Sequence, residues 1–170
     1  DLALLKIETR KKLQAAKFGE SHNMRVGDWV LAIGNPFGLG GTVTAGIISA
    51  RQRNINAGPY DDFIQTDASI NRGNSGGPMF NLDGEVIGVN TAIFSPTGGS
   101  VGIGFAIPSN MVRAVVTGLT RTGKLVRPWL GATGQTVSQD IAASMGMERP
   151  MGVLVSKLYK DGVADSGGVQ

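Results

Sequence analysis

The chain has 170 residues, 41% of them hydrophobic, with a mean hydropathy of +0.04, which is enough to bury a core and excludes a disordered polymer. The absence of cysteine excludes disulfides, thiolate catalysis and Cys-ligated metals, and one histidine among scattered carboxylates argues against any metal centre or cofactor. The net charge of +3 is a small excess, densest at residues 10–12 and 51–53, and reads as a solvated surface rather than a nucleic-acid face.

Twenty-six glycines with 6% aromatics favour an all-β fold with many tight turns. In chain order, residues 2–8 are an apolar run of strand length, and 10–16 read as a helical turn or a solvated connection. A Gly27-Asp28 turn leads into a buried strand over 29–33, followed by a loop through Asn35-Pro36-Phe37-Gly38 and Gly40-Gly41. Residues 42–50 are the next strand, 54–60 a loop, and 62–66 a strand entering the stretch Gln65-Thr66-Asp67-Ala68-Ser69-Ile70-Asn71-Arg72-Gly73-Asn74-Ser75-Gly76-Gly77-Pro78. Asp83-Gly84 is a hairpin signal between strands at 79–80 and 85–92, and a further strand is expected over 101–107. Strands at such short intervals fit an antiparallel barrel or sandwich. A helix follows, with Ser109 as N-cap, Met111, Val112, Val115, Val116 and Leu119 on one face, and Gly123 at its stop. A basic, proline-containing connector at 122–128 separates it from a second segment with a helix at 138–145 and a strand at 152–158. No apolar run is long enough to span a bilayer and no signal peptide is present.

The chemistry concentrates at residues 73–78. A serine hydroxyl becomes a nucleophile when a base takes its proton, and the oxyanion formed on attack needs preorganised N–H donors. Glycines at 73, 76 and 77 permit the backbone conformations by which the N–H groups of Gly73, Asn74 and Ser75 converge on one point. The same stretch also reads as a glycine-rich turn between two strands. Asp67 has no partner at metal-ligand spacing and is expected to satisfy backbone donors; Arg72 reads as a surface arginine.

Taken in order, four further segments carry a family resemblance: 1–7, Asp1-Leu2-Ala3-Leu4-Leu5-Lys6-Ile7; 30–38, Val30 through Gly38; the nucleophile stretch 63–78; and 102–108, Gly102-Ile103-Gly104-Phe105-Ala106-Ile107-Pro108. With them the sequence resembles the bacterial HtrA/Deg family of trypsin-like serine proteases over its whole length. The resemblance implies the second barrel of a two-barrel trypsin-like protease with a remnant of the first and a C-terminal helix, over residues 1–124. It implies a truncated PDZ domain over 125–170, whose Trp129, Leu130, Gly131 and Ala132 form the loop that takes a peptide C-terminus.

The implied roles are Ser75 as nucleophile, the N–H groups of Gly73, Asn74 and Ser75 as oxyanion hole, and Asp1 as the carboxylate that orients the triad imidazole. Ile70, Asn71 and Arg72, with the loop 92–101, would shape a primary pocket for small aliphatic side chains. Thr91, Ala92 and Ile93 would pair with substrate backbone as an added strand. For Ile70, Ile93 and Val101, ordinary core is the competing reading.

The parent would be a periplasmic or otherwise extracytoplasmic endopeptidase of protein quality control, a homotrimer or larger assembly that cleaves unfolded proteins without nucleic acid or cofactor. Membrane association, where it occurs, would belong to the parent. The base is missing from this pattern. The one histidine, His22, lies between Asp1 and Ser75, whereas trypsin-like proteases run His, Asp, Ser. His22 therefore reads as a solvated loop residue. The catalytic histidine is expected upstream of Asp1, leaving this segment inactive alone. The alternative is a relative without the base, acting as a peptide-binding or chaperone-like module.

Overall fold

Among the described residues, the β-branched and aliphatic runs become eight strands and the helical patterns three α-helices. They are β1 (Trp29–Gly34), β2 (Thr42–Arg53), β3 (Phe63–Thr66), β4 (Pro78–Phe80), β5 (Val86–Ile93), β6 (Gly104–Pro108), α1 (Ser109–Thr122), β7 (Ala132–Thr136), α2 (Gln139–Ser144), β8 (Val153–Leu158) and α3 (Val163–Ser166). The computed structural model describes residues 2–125 and 127–169, which fall into two compact units, Asp1–Leu125 and Val126–Gln170.

In the first unit, six strands close an antiparallel barrel in the order β1-β2-β3-β6-β5-β4, with Leu31↔Phe80 and Ala32↔Met79 joining the last strand to the first. Val30 and Ala32 point inward and meet Ile48, Ile64, Ala68, Ile70, Met79, Ile87 and Ala106 in the core. The outward residues of β1 are apolar too, so this strand reads as a continuous hydrophobic run rather than an alternation. The expected strand at 2–8 is absent: its side chains are largely exposed, and without a neighbouring strand to share hydrogen bonds among the described residues an extended run gains no ladder. β6 starts at Gly104 rather than at 101, because Gly102 turns the chain at φ +80. β2 runs on to Arg53 through two register shifts against β3.

The helix α1 corrects a second expectation. Ser109 is its first residue, Pro108 occupies the N-cap position without a side chain able to cap, and the Ser109 hydroxyl donates instead to the Gly19 carbonyl at 2.8 Å. The cap comes from far away in sequence, where the Asn110 N–H donates to the Ser21 hydroxyl at 3.2 Å. Ser21 in turn donates to Asn110 Oδ1, and Glu20 accepts from Asn110 Nδ2 and from Arg113, both at 2.7 Å. The Arg113 guanidinium, with help from the Asn110 amide, holds the Glu20 carboxyl below its ordinary range. The stretch 17–21 is thereby strapped between α1 and Val86, whose backbone exchanges hydrogen bonds with Lys17 and Gly19.

The second unit pairs β7 with β8 in antiparallel register. The helix expected over 138–145 runs from Gln139 to Ser144, and Ser138 caps it, accepting from the Ile141 N–H at 3.3 Å.

Candidate active site at Ser75

Ser75 lies on the loop between β3 and β4, and three other segments hold that loop. Asp67, at its start, accepts the Ile47 N–H of β2 at 2.7 Å, which uses the carboxylate as a backbone anchor. Asn71 and Asn74 close a turn, the Asn74 N–H donating to the Asn71 carbonyl at 3.0 Å. The Asn71 side chain accepts the Ser100 N–H at 2.9 Å, so it ties the serine loop to the β5–β6 loop.

On the other side, the loop after β1 receives the serine loop's carbonyls. The Phe37 N–H donates to the Arg72 carbonyl at 2.9 Å and the Asn35 N–H to the Gly73 carbonyl at 3.3 Å. Gly73 sits at φ +101, and a Cβ on it would lie 2.2 Å from the Asn35 oxygen, so no other residue fits without moving backbone. In a planar trans peptide the N–H points opposite to the carbonyl. With the Arg72 carbonyl turned to Phe37, the Gly73 N–H is directed away from that loop.

Among the described residues neither the Gly73 nor the Ser75 N–H donates to any acceptor. The Asn74 N–H does, within its turn. Of the three donors expected from sequence, two are therefore unoccupied and the third is engaged by the Asn71 carbonyl, because the turn that brings Gly73 round needs that bond.

The Ser75 side chain is exposed, and its Oγ donates to the Thr91 carbonyl of β5 at 3.1 Å. It opens on a groove of about 550 Å3 bordered by Leu2, Leu5, Thr91, Val112 and Leu119. Among the described residues β5 has an open edge along this groove beyond Asn90: its pairing with β4 ends at Val89, while Ala92 and Ile93 pair with Phe105 and Gly104 of β6 on the opposite side.

The other residues singled out from sequence are distributed as follows. Asp1 lies outside the described residues, although Leu2 and Ala3 beside it line the groove. His22 sits on a 3-10 turn, Ser21–Asn23, in a separate cleft of about 30 Å3 with Arg51 and Asp62; the structure does not bring it to Ser75. Ile70 is 1% exposed, with its Cδ1 packed where a Gly104 side chain would be, so it is a core residue here and not the wall of an open pocket. Arg72 is exposed, Asn71, Thr91, Ala92 and Ile93 are partly buried, and Ile93 packs against the core cluster.

In the second unit, the Leu130 carbonyl accepts from the Ala164 N–H and the Gly131 carbonyl from the Tyr159 N–H, each at 2.8 Å. Trp129 stacks edge-on against Tyr159 with ring centroids 4.9 Å apart.

The sequence placed Asn35 in a loop without giving its side chain a role, and it left Asn90 unremarked. Asn35 folds its own loop by accepting the Gly40 N–H at 2.7 Å, and Asn90 is a fully buried amide in β5. A polar residue inside the apolar run Val86-Ile87-Gly88-Val89-Asn90 was the available signal for the second.

A family model for the trypsin-like peptidase domain matches residues 1–89. Over its whole length the chain is 57% identical to a protein of Brucella suis named "Probable periplasmic serine endoprotease DegP-like", and 54% identical to one of the same name from Rhizobium meliloti. It spans about a third of the length of these curated relatives, 33% and 34% respectively. Among solved structures it is similar to an HtrA-type protease, AlgW, with a tripeptide, at TM-score 0.81 and 48% identity, covering 97% of this chain and 55% of that one. The same protease with a decapeptide superposes at TM-score 0.75 over 95% of this chain and 50% of that one.

Proposed function

The chain belongs to the trypsin-like peptidase family, and from that premise we propose that Ser75 is the nucleophile of a serine endopeptidase that cleaves unfolded protein chains through an acyl-enzyme. The observation that carries this reading is the combination at one place of an exposed Ser75 hydroxyl and the unoccupied N–H groups of Gly73 and Ser75. Attack by Oγ on a substrate carbonyl, with the Oγ proton passing to a histidine from beyond these 170 residues, forms a C–O bond and moves charge to the carbonyl oxygen, where those two donors stabilise it; collapse breaks the C–N bond and expels the amine with that proton, and water later releases the acyl group and restores the Oγ–H. The Asn74 N–H has no part in this, being held by Asn71.

Asp1 orients the imidazole of a histidine contributed by sequence beyond these 170 residues. His22 is in the wrong cleft for the task. The free edge of β5 at Thr91, Ala92 and Ile93 takes substrate backbone as an added strand beside Ser75. The relatives' names support a periplasmic location, and a quality-control role is part of the same proposal.

Assembly into a homotrimer or larger homo-oligomer is supported by the outer face of β1, β2 and β4. There, by register, the outward Trp29 adjoins Ile47, Leu31 adjoins Ala45 and Phe80, and Ile33 adjoins Val43, and Trp29 and Val43 are more than half exposed. An apolar sheet face of this extent fits a partner surface better than water.

The second unit is read as the first half of a PDZ domain. With the Leu130 and Gly131 carbonyls turned inward, planarity turns the Gly131 and Ala132 N–H groups outward to meet a peptide carboxylate, next to the unpaired edge of β7.

The deciding experiment uses the full-length protein that carries this segment. Casein degradation and fluorophosphonate labelling at Ser75 are expected, with Ser75→Ala reducing turnover by roughly 10^4-fold or more. Degradation that survives Ser75→Ala would overturn Ser75 as the nucleophile, and no degradation by the wild-type protein would favour a peptide-binding module instead.

A further inference from the structure

Resting on the reading of Ser75 as nucleophile, we propose that Asn90 is a positioning residue that pins the serine loop where strands β1 and β4 part. These strands pair at Leu31↔Phe80 and Ala32↔Met79 and no further. The next pair in register would be Ile33 with Pro78, but proline has no N–H to give, and Gly77 crowds in so closely that a Cβ there would lie 2.1 Å from the Ile33 oxygen. The Ile33 carbonyl is thereby left without the ladder N–H that position 78 would otherwise supply, and it and the Pro78 carbonyl lie within reach of one amide at the end of the ladder.

Asn90 fills that gap from the neighbouring strand. It is 0% exposed, and its Nδ2 donates to the Ile33 and Pro78 carbonyls, each at 3.3 Å. A side-chain amide has two hydrogens on one nitrogen, which suits two adjacent acceptors. The opposite amide orientation would set Oδ1 against two carbonyl oxygens, so the chemistry of the gap fixes which way the group points.

The backbone of the same residue grips the loop directly. The Asn90 N–H donates to the Gly77 carbonyl at 2.9 Å, and the Gly76 N–H donates to the Asn90 carbonyl at 2.8 Å. Gly76 follows Ser75, and Thr91, which follows Asn90, carries the carbonyl against which the Ser75 Oγ rests. A shift at Asn90 therefore displaces the nucleophile's main chain and the surface its hydroxyl lies on together. The expected kinetic result is a loss in acylation rate with substrate affinity retained, since a misplacement of about 1 Å is enough to cost roughly 10^2-fold in rate.

Asn90→Thr and Asn90→Val form the informative pair: both are β-branched strand residues of equal size, and only threonine keeps a donor hydrogen. In this chain, hydrogen exchange read by mass spectrometry over residues 73–78 should be about tenfold faster in the valine variant than in the threonine variant, with exchange over 42–53 changed by less than about twofold in either. In the full-length protein, the rate of fluorophosphonate labelling should fall about tenfold further for valine than for threonine, while KM for a peptide substrate stays within about twofold. Equal exchange of the two variants at 73–78, or acceleration spread evenly over the barrel, overturns the pin. Failure of the wild-type protein to label at Ser75, with the exchange difference present, instead removes the nucleophile reading and leaves the pin in place.

Discussion

Replacing Ser21 by alanine tests the strap at the start of α1, and its cost can be built from two parts. The first is a helix cap, because the Asn110 N–H loses its acceptor, and caps of this kind contribute about 1 kcal/mol. The second is the Asn110 Oδ1, which loses the Ser21 hydroxyl in a site where Ser21 is 3% exposed; a polar atom left without its partner there costs about 1 kcal/mol more. Together these come to about 2 kcal/mol, a substantial part of the roughly 5–15 kcal/mol that holds a domain folded. For a unit of this size the midpoint of thermal unfolding should fall by about 6–10 °C. Urea unfolding of the 170-residue chain, followed by tryptophan fluorescence and by helical circular dichroism, measures the difference. Amide exchange adds the specific signature: the Asn110 N–H should lose protection in Ser21→Ala. A change under about 0.5 kcal/mol with that amide still protected would refute the argument that the cap comes from the distant serine.

Two further outcomes follow from the same geometry. Gly73→Ala must place a Cβ at positive φ and 2.2 Å from the Asn35 oxygen, so the loop should rearrange, at a cost of about 1–3 kcal/mol, and fluorophosphonate labelling of the full-length protein should drop at least about 100-fold; labelling at the wild-type rate would sink the assigned oxyanion geometry. Glu20 titrates lower folded than unfolded, so its contribution to stability is fully present above the ordinary carboxylate range and is lost as pH falls through its depressed folded value. Unfolding curves of wild type and Glu20→Gln should accordingly differ at neutral pH and converge in acid, and a gap that persists or widens in acid would contradict the Arg113 pairing.

The barrel was readable because its strands advertise themselves: Trp29 to Ile33 and Val86 to Val89 are apolar on both faces, and Asp83-Gly84 marks the hairpin between β4 and β5. Local pattern misled where the deciding partner was remote. Residues 2–8 have strand composition but no described neighbour to pair with, and Ser109 has the chemistry of a cap but spends its hydroxyl on Gly19 while Ser21 does the capping. The serine loop was legible as chemistry only with the flanking segments, since three glycines around one serine read equally as a turn between two strands. Its detailed wiring was not. That the Asn74 N–H closes a turn, that Ile70 is core, and that Asn90 bridges two carbonyls depend on which backbone atoms the fold brings within 3.5 Å, and no spacing rule encodes that.

The strap between residues 17–21 and α1 also orders events in time. Its hydrogen bonds join residues 88 to 95 positions apart, so residues 17–21 have their partners in a helix that is made much later. At synthesis rates of about 5–20 residues per second, the early stretch waits roughly 5–20 s for α1 to emerge. Long-range closure of this kind also slows folding of the finished chain. The strap can therefore close over the start of the unit only once the helix that ends it has formed.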